Sequence, residues 1–423
     1  MWRLAAQALR PARAPLTVQR ALAVFLPQGY PDSVSPSYLR YSAWASSGAV
    51  LSSAGGVLAT SSLLVALGVS STAALPFSAA TTWVLKDGLG QLGGVLYAAV
   101  LGTSFDADPK RWRQVSALAL DGAGVLEVCI LALAPLHVLP FLPFAALANV
   151  ARNVAWLSSS ATRAGLHSAL SRRGNLADIT AKAGSQTTAA AMLGTALGVS
   201  LSLLADHPLA ALSLYLALAA GHQACVFLSL RAVVLPTLSG ARLHLAWRRA
   251  VGAEEGEQAV RLLLTPEEVS ALEHFLPWQP SQAPRHLHVE LDPAGAPDAH
   301  AFCVASEAPP QHMLVAAACG KVHIFLAQGA GVGCVLLAHL HAERTAWELA
   351  QLPPLQAGSL EARVAAVGRA RAWVERCGAH VLRGLSDAGW RINEPALDAS
   401  VMGQRHVFMR DPAVESRVGK RGE

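Results

Sequence analysis

The sequence predicts a mainly α-helical protein: a polytopic membrane helix bundle followed by a small α+β domain that faces the cytosol. Three observations support this fold class. Charged residues make up only 14% of the chain, where a soluble domain carries roughly 25%. They are also unevenly spread, with 17 among the 195 residues of 41–235 and 38 among the 188 residues of 236–423. Finally, residues 41–85 contain no Asp, Glu, Lys, Arg or His, although one membrane crossing needs only about 20 apolar residues.

The chain divides into three parts. Residues 1–24 form a basic N-terminal tail or targeting segment, with four arginines and no acid. A short basic amphipathic helix is typical of a mitochondrial presequence, so the mitochondrion is the candidate organelle and a plain basic tail is the alternative. Residues 25–240 form the membrane helical domain, and residues 241–423 form the α+β domain.

The uncharged runs predict four membrane spans, at 47–70, 88–104, 183–205 and 208–230. The run 128–151 contains three prolines, and we interpret it as a re-entrant hairpin. This arrangement places all basic loops on one side of the membrane, as the positive-inside rule requires. The alternative is that the runs are buried helices of a large soluble core.

Small residues recur at every fourth position on three of these runs. In lipid, helices associate through close backbone packing over small side chains, so this pattern predicts packed membrane helices. The three stripes are Gly48, Ser52, Gly56, Thr60; Gly90, Gly94, Ala98, Gly102; and Ala190, Gly194, Gly198, Ser202.

The sequence pattern of the predicted C-terminal domain differs from that of the membrane domain. A short acidic helix is predicted at 265–275, and apolar periodicity predicts a long helix after Ser359. Residues 321–326 and 334–339 are apolar runs separated by a glycine-rich segment, which predicts a β-hairpin.

Three further patterns could indicate a cofactor or metal site, but a structural interpretation is favoured for each. Residues 88–93 match the GxGxxG dinucleotide fingerprint, but no preceding strand is predicted, so these glycines are assigned to a spanning helix. His286, His288 and Glu290 would share one strand face, but exposed strand histidines are commoner than metal ligands. The six cysteines contain no CxxC pair and are interpreted as free thiols. We therefore expect no metal, no cofactor and no nucleic-acid partner.

Lys86 and Asp87 are the most informative charges, because uncharged runs flank them on both sides. Ionisable groups at membrane depth are expensive and often functional. Lys182 opens the next uncharged helix 96 positions further on. The spacing predicts two related helix junctions, where lysines and free amides at helix N-termini suit an anion such as phosphate. The alternative for Lys86 and Asp87 is an interfacial pair that anchors the segment.

Three sequence blocks carry a family resemblance. They are Phe25-Leu-Pro-Gln-Gly-Tyr-Pro-Asp-Ser-Val-Ser-Pro-Ser-Tyr38, then Trp83-Val-Leu-Lys-Asp-Gly-Leu-Gly90, and then residues 161–182 with Arg172-Arg-Gly-Asn-Leu-Ala-Asp-Ile-Thr-Ala-Lys182. Together they resemble the root UV-B sensitive (RUS) family. The resemblance implies a multi-helix membrane-associated protein. Plant members are tied to UV-B responses, early seedling development and vitamin B6 homeostasis.

The resemblance also supplies candidate ligand-binding residues, which occupy motif positions of the family: Lys86, Asp87, Arg163, Asp178, Lys182, Ser185 and Gln186. Three positions depart from the family, because Ala45, Ala183 and Thr187 stand where it usually has acids. The loss of these carboxylates argues against a proton- or cation-coupled mechanism in this chain. It leaves the basic, anion-facing residues intact.

We therefore expect a non-enzymatic integral membrane protein that binds or transports a small anionic metabolite linked to vitamin B6 homeostasis. Lys86, Lys182 and Arg163 would neutralise the anion, and Asp87 and Gln186 would orient it. The expected partners are the lipid bilayer and the anion. The main alternative is a membrane scaffold that recruits a protein partner through its C-terminal domain. An enzyme is the third hypothesis.

Overall fold

A computed structural model describes residues 23–66, 77–101, 105–133, 141–205, 207–284, 287–289, 312–316, 321–326 and 331–393. It is mainly helical. Most of the predicted N-terminal targeting segment, together with Gly102, His286 and Glu290, lies outside these residues. The chain forms two compact units, one of residues 1–235 with 275–279 and the other of residues 236–274 with 280–423.

The first unit contains six long helices: α1 (Tyr38–Ala66), α2 (Phe77–Leu101), α3 (Pro109–Leu133), α4 (Phe141–Leu170), α5 (Leu176–Ser202) and α6 (Pro208–Ala232). Helix α1 packs against α3, α5 and α6, whereas α4 packs against α2 and α3. Three helices of the described chain are long and apolar enough to cross a membrane: α1, residues Pro109–Leu131 of α3, and α6.

The predicted spans at 47–70 and 208–230 coincide with two of these candidates, whereas those at 88–104 and 183–205, largely on α2 and α5, do not. The prediction is also incomplete. It left out α3, which meets the length and hydropathy of a crossing although it carries Asp121 and Glu127. The predicted re-entrant hairpin at 128–151 is also wrong. Its first residues end the 25-residue helix α3, and its last begin the 30-residue helix α4. Pro143 fits there because the first turn of a helix tolerates proline.

The small-residue stripes do lie in helix contacts, as predicted. A Cβ on Gly194 of α5 would lie 2.3 Å from the carbonyl oxygen of Val50 on α1. A Cβ on Gly90 of α2 would lie 2.3 Å from Nδ2 of Asn149 on α4. Any larger side chain at either glycine would force the helices apart. Gly56 of α1 differs, because no atom lies within 4 Å of its Cβ position.

The second unit combines short and long helices with a small sheet. The helices are α7 (Gly240–Trp247), α8 (Gly256–Arg261), α9 (Pro266–Leu272), α10 (Val332–Ala350), α11 (Pro354–Ala357) and α12 (Leu360–Asp387). Strands β1 (Leu287–Val289), β2 (His312–Ala316) and β3 (Val322–Leu326) form a sheet in the order β1-β3-β2, with β1 parallel and β2 antiparallel to β3.

Two predicted helices of this unit are confirmed. Helix α9 begins with a capping box between Thr265 and Glu268, and α12 begins at Ser359, whose hydroxyl accepts from the Ala362 amide. The predicted hairpin is wrong, because residues 334–339 belong to α10. That apolar run continues at helical spacing for 19 residues after the cap at Gly331, and a short apolar run alone does not distinguish a strand from a helix.

Candidate functional site

Lys86 and Asp87 lie inside helix α2, not at the predicted helix junction. Lys86 is buried, and its ammonium lies 2.7 Å from Asp87 Oδ1 and 4.4 Å from the centre of the Trp83 ring. Asn149 of α4 donates from Nδ2 to the Lys86 carbonyl and to Asp87 Oδ1, both at 3.2 Å. The charged groups of Lys86 and Asp87 thus have an ion-pair partner and a hydrogen-bond donor where α2 contacts α4.

The α5 residues of the predicted site bond to the segment that precedes α1. Asp178 Oδ2 accepts from the Gln28 amide at 2.7 Å, Lys182 Nζ donates to the Ala23 carbonyl, and Gln186 Nε2 donates to the Phe25 carbonyl at 2.6 Å. Residues four apart share one face of a helix. Asp178, Lys182 and Gln186 therefore form a continuous clamp on residues 23–28.

The other two predicted residues take no part in this clamp. The Ser185 hydroxyl donates to the Ala181 carbonyl of its own helix at 3.3 Å. Arg163 is exposed on α4. Lys182 lies inside α5, which begins at Leu176, so the predicted pair of helix N-termini is not observed. The structure thus distributes the seven residues over three places, and their ligand-binding role stays a prediction.

A buried polar network that we did not predict lies between α3 and α6. His222 Nδ1 of α6 lies 2.9 Å from both carboxylate oxygens of Asp121 on α3. Gln223 donates from Nε2 to Asp121 Oδ2 at 2.6 Å and accepts from Gln114 at 2.6 Å. The Tyr215 hydroxyl donates to the Asp121 carbonyl at 3.1 Å.

A second ion pair lies beside this network. Arg152 of α4 binds Glu127 of α3 through Nη2, and the Glu127 side chain is only 5% exposed. Lys86 is close enough to Glu127 to interact with it electrostatically. Helix α3 therefore supplies two buried acids, Asp121 and Glu127. Helix α6 supplies the hydrogen-bond donors to the first, and α4 supplies the arginine that pairs with the second.

Two cavities meet at Arg152. The larger is an open groove of about 530 Å³ that is lined by α1, Arg152 and α5. The smaller, of about 50 Å³, is lined by Asp121, Tyr215 and residues of α1. Ser52, Gly56 and Arg152 line both.

Among the described residues, Arg152 is the one charged residue that lines the larger cavity; the others are Ala49, Ser52, Ser53, Gly56, Val57, Thr60, Ser61, Thr187 and Ala191. Its five hydroxyl groups can donate to or accept from a ligand. A guanidinium has five N–H donors, and Nη2 of Arg152 already binds Glu127. Part of the α1 stripe, which we predicted as packing, therefore lines a cavity instead.

The sequence contained one signal for this site. Asp121, Glu127 and Arg152 are isolated charges within apolar stretches of α3 and α4, and intramembrane charges mark functional sites by default. Lys86 and Lys182 are the more prominent charges in the sequence, because they flank longer uncharged runs.

Fold and site together define a class: a mainly α-helical protein with a buried ion-pair network among helices of membrane length. The sequence model described as the vitamin B6 photo-protection and homoeostasis domain matches residues 12–253. The chain belongs to the root UV-B sensitive family, as the sequence blocks predicted.

Several curated proteins are similar to this chain. Protein root UVB sensitive 3 of Arabidopsis thaliana is 32% identical over 280 residues, which cover 64% of this chain and 61% of the relative. RUS family member 1 of Dictyostelium discoideum is 31% identical over 256 residues, 60% of this chain and 47% of the relative. Protein root UVB sensitive 2, chloroplastic, of Arabidopsis is 37% identical over 185 residues, 44% and 41% of the two chains.

The matched regions thus cover less than two thirds of these relatives. No solved structure matches the chain.

The second unit contains a separate chain of hydrogen bonds between histidines. His341 Nε2 lies 3.0 Å from the Val367 carbonyl and must donate to it. His341 Nδ1 is then the acceptor for His312 Nε2 at 3.2 Å, and His312 Nδ1 faces the Cys334 thiol at 3.8 Å. Burial lowers the pKa of both His312 and His341 to about 4, and for His312 the neighbouring His341 adds to the effect.

We expect the second unit to lose stability in mild acid because of these two histidines. Between pH 6.5 and pH 4 the unfolded chain binds more protons than the folded chain, so the free energy of unfolding falls as the pH falls. From pH 7 to pH 4.5 the loss is about 2 kcal/mol per histidine. Thermal unfolding of the full chain, followed by tryptophan fluorescence at both pH values, measures it.

The variant His341→Gln should lose less stability over the same pH interval than the wild type does. The matched control is His380→Gln, which replaces an exposed histidine of α12 and should leave the acid sensitivity unchanged. Equal acid sensitivity in His341→Gln and the wild type would show that other groups cause the effect.

Proposed function

We propose that the chain is an integral membrane protein that binds a small anionic metabolite in the larger cavity and catalyses no reaction on it. The observation that carries this proposal is Arg152, a guanidinium that lines an open cavity of about 530 Å³ whose other described lining residues are uncharged. Binding sites for small molecules occupy about 300–1,000 Å³.

The placement in a membrane is supported by the outer faces of the helices. On α2, Val84 is 71% exposed and Val100 is 78% exposed, and on α5 Met192 is 70% exposed. Further exposed apolar residues of the same two helices are Leu85, Leu89, Leu92, Val95, Leu96, Leu193, Leu197 and Val199. Apolar surface of this extent would be unfavourable in water, and lipid chains would cover it.

The proposed ligand class follows from the donors and from the family. A phosphate or carboxylate accepts hydrogen bonds from a guanidinium in a planar, charge-assisted geometry. The hydroxyls of Ser52, Thr60 and Thr187 can bind the polar groups of the same ligand. Phosphorylated vitamin B6 compounds combine an anion with ring hydroxyls, and the matched domain is described by vitamin B6 homoeostasis.

Binding to the native state raises the melting temperature, which provides the test. We would measure melting of the full chain in detergent with pyridoxine 5′-phosphate, pyridoxine and inorganic phosphate. Pyridoxine 5′-phosphate has no aldehyde, so it cannot form a Schiff base with lysine. At 100 times its dissociation constant a ligand adds about 2.7 kcal/mol, and we expect this shift for the phosphorylated compound.

Arg152→Gln should abolish the shift, whereas the matched control Arg231→Gln should retain it, because Arg231 is exposed at the end of α6. A shift that survives in Arg152→Gln would place the site elsewhere, and Lys86 and Lys182 would be the next variants. No shift with any compound would contradict the proposal and favour a scaffold that recruits a partner through the second unit.

A further inference from the structure

We propose that Asp121 and His222 bind one proton, and that uptake of this proton is coupled to binding of the anion at Arg152. The inference rests on the function proposed above and deepens it. It assigns the first unit the chemistry of proton-coupled anion binding.

The two residues lie at the middle of their helices. Asp121 is the thirteenth residue of the 25-residue α3, and His222 is the fifteenth of the 25-residue α6. At 1.5 Å per residue, Asp121 lies about 18 Å from the start of its helix, which corresponds to the centre of a hydrocarbon layer about 30 Å thick. Ionisable residues at that depth commonly mark proton pathways.

The geometry identifies the atom that takes up the proton. Asp121 and His222 are 8% and 7% exposed. His222 Nδ1 faces both oxygens of the carboxylate, and an ionised carboxylate only accepts hydrogen bonds. Nδ1 therefore carries a hydrogen already, and the additional proton binds at Nε2. Histidine is the side chain whose charge ordinarily changes between pH 5 and pH 8.

The pair is connected to the proposed anion site through the smaller cavity. Asp121 lines this cavity of about 50 Å³ together with Arg152, and a volume of this size can hold water. The smaller cavity shares Ser52, Gly56 and Arg152 with the larger one. Asp121 and Arg152 therefore line one small cavity, and Arg152 also lines the larger one, in which the anion is proposed to bind.

The surrounding charges explain why proton and anion would bind together. Among the described residues, Tyr215 of α6 donates to Asp121, and Cys225 of α6 lies with His222 beside Gly48. Glu127 on α3 and Arg152 on α4 interact electrostatically with Tyr215. Lys86 on α2, which is paired with Asp87, interacts with Glu127. Helix α1 contributes Gly48 beside His222 and no ionisable side chain at this level.

With a neutral imidazole, Asp121 and Glu127 oppose the single positive charge of Arg152, so the site has one net negative charge and repels an anion. The Lys86–Asp87 pair cancels within itself. One proton on His222 makes the site neutral. Because charges interact strongly in a low-dielectric interior, an anion binds more tightly to the protonated site.

Calorimetry on the full chain in lipid nanodiscs tests this coupling, with pyridoxine 5′-phosphate as the probe at pH 6 and pH 8. We expect wild-type affinity to rise as the pH falls, by up to about tenfold per pH unit for one coupled proton. Asp121→Asn removes the negative charge and should bind tightly at both pH values. His222→Gln keeps that charge without the proton site and should bind weakly at both.

The phosphate of the probe titrates near pH 6, so sulfate serves as a second probe that exchanges no proton in this range. Sulfate titrations of the wild type in buffers of different ionisation enthalpy count the protons taken up by the protein, without any variant that must fold. Uptake of about one proton supports the coupling.

Three results would overturn the coupling while leaving anion binding intact: equal wild-type affinity at both pH values, no proton uptake with sulfate, or an unchanged pH dependence in Asp121→Asn. Failure of the wild type to bind either anion at both pH values overturns the proposed function, and the coupling with it.

Discussion

Gly56→Leu should weaken binding of pyridoxine 5′-phosphate by about 100-fold without destabilising the protein. Gly56 lines both cavities, and no atom of a described residue lies within 4 Å of its Cβ position, so a leucine would extend into the space where they meet. Accommodating a ligand beside that side chain requires overpacking, which costs up to about 3 kcal/mol. Leucine also favours the helix over glycine by up to about 1 kcal/mol.

The control is Gly184→Leu, the same substitution at an exposed position of α5 whose Cβ would also have no atom of a described residue within 4 Å. Its affinity should equal that of the wild type. The two variants separate occlusion of the cavity from a general effect of glycine replacement. Wild-type affinity in Gly56→Leu would show that the ligand does not occupy this cavity.

The helical fold of the first unit could largely be predicted from the sequence, because uncharged runs and small-residue spacing report on helix length and helix contacts. Gly90 and Gly194 illustrate this, since each lies where a neighbouring helix approaches. The ends of the helices could not be predicted. The charges of Lys86 and Asp87 predicted the end of a helix. The ion pair between them and the hydrogen bond from Asn149 allow α2 to continue through both residues.

The candidate site was largely missed because it depends on contacts between distant parts of the chain. Asp121 and His222 are separated by 101 positions, and no local motif joins them. Ala45, Ala183 and Thr187 stand where the family usually has acids, and the absence of these carboxylates argued against proton coupling. Two other carboxylates, Asp121 and Glu127, lie on α3, outside the family motifs.

The second large effect concerns the Glu127–Arg152 ion pair. Arg152→Met should lower the free energy of unfolding by about 3–5 kcal/mol, because it leaves Glu127 buried without its partner. The double variant Arg152→Met with Glu127→Leu should recover most of this loss, since well-packed apolar residues commonly replace a buried ion pair without cost. Melting temperatures in detergent measure both, and the single variant should fall by about 10 °C.

The double variant separates the structural role of Arg152 from its proposed role in binding. It should melt near the wild-type temperature and still fail to bind pyridoxine 5′-phosphate, because no guanidinium remains in the cavity. A stable double variant that binds the anion would show that Arg152 serves only to neutralise Glu127. If the double variant melts as low as Arg152→Met, the loss arises from packing around the arginine stem and not from the unpaired carboxylate.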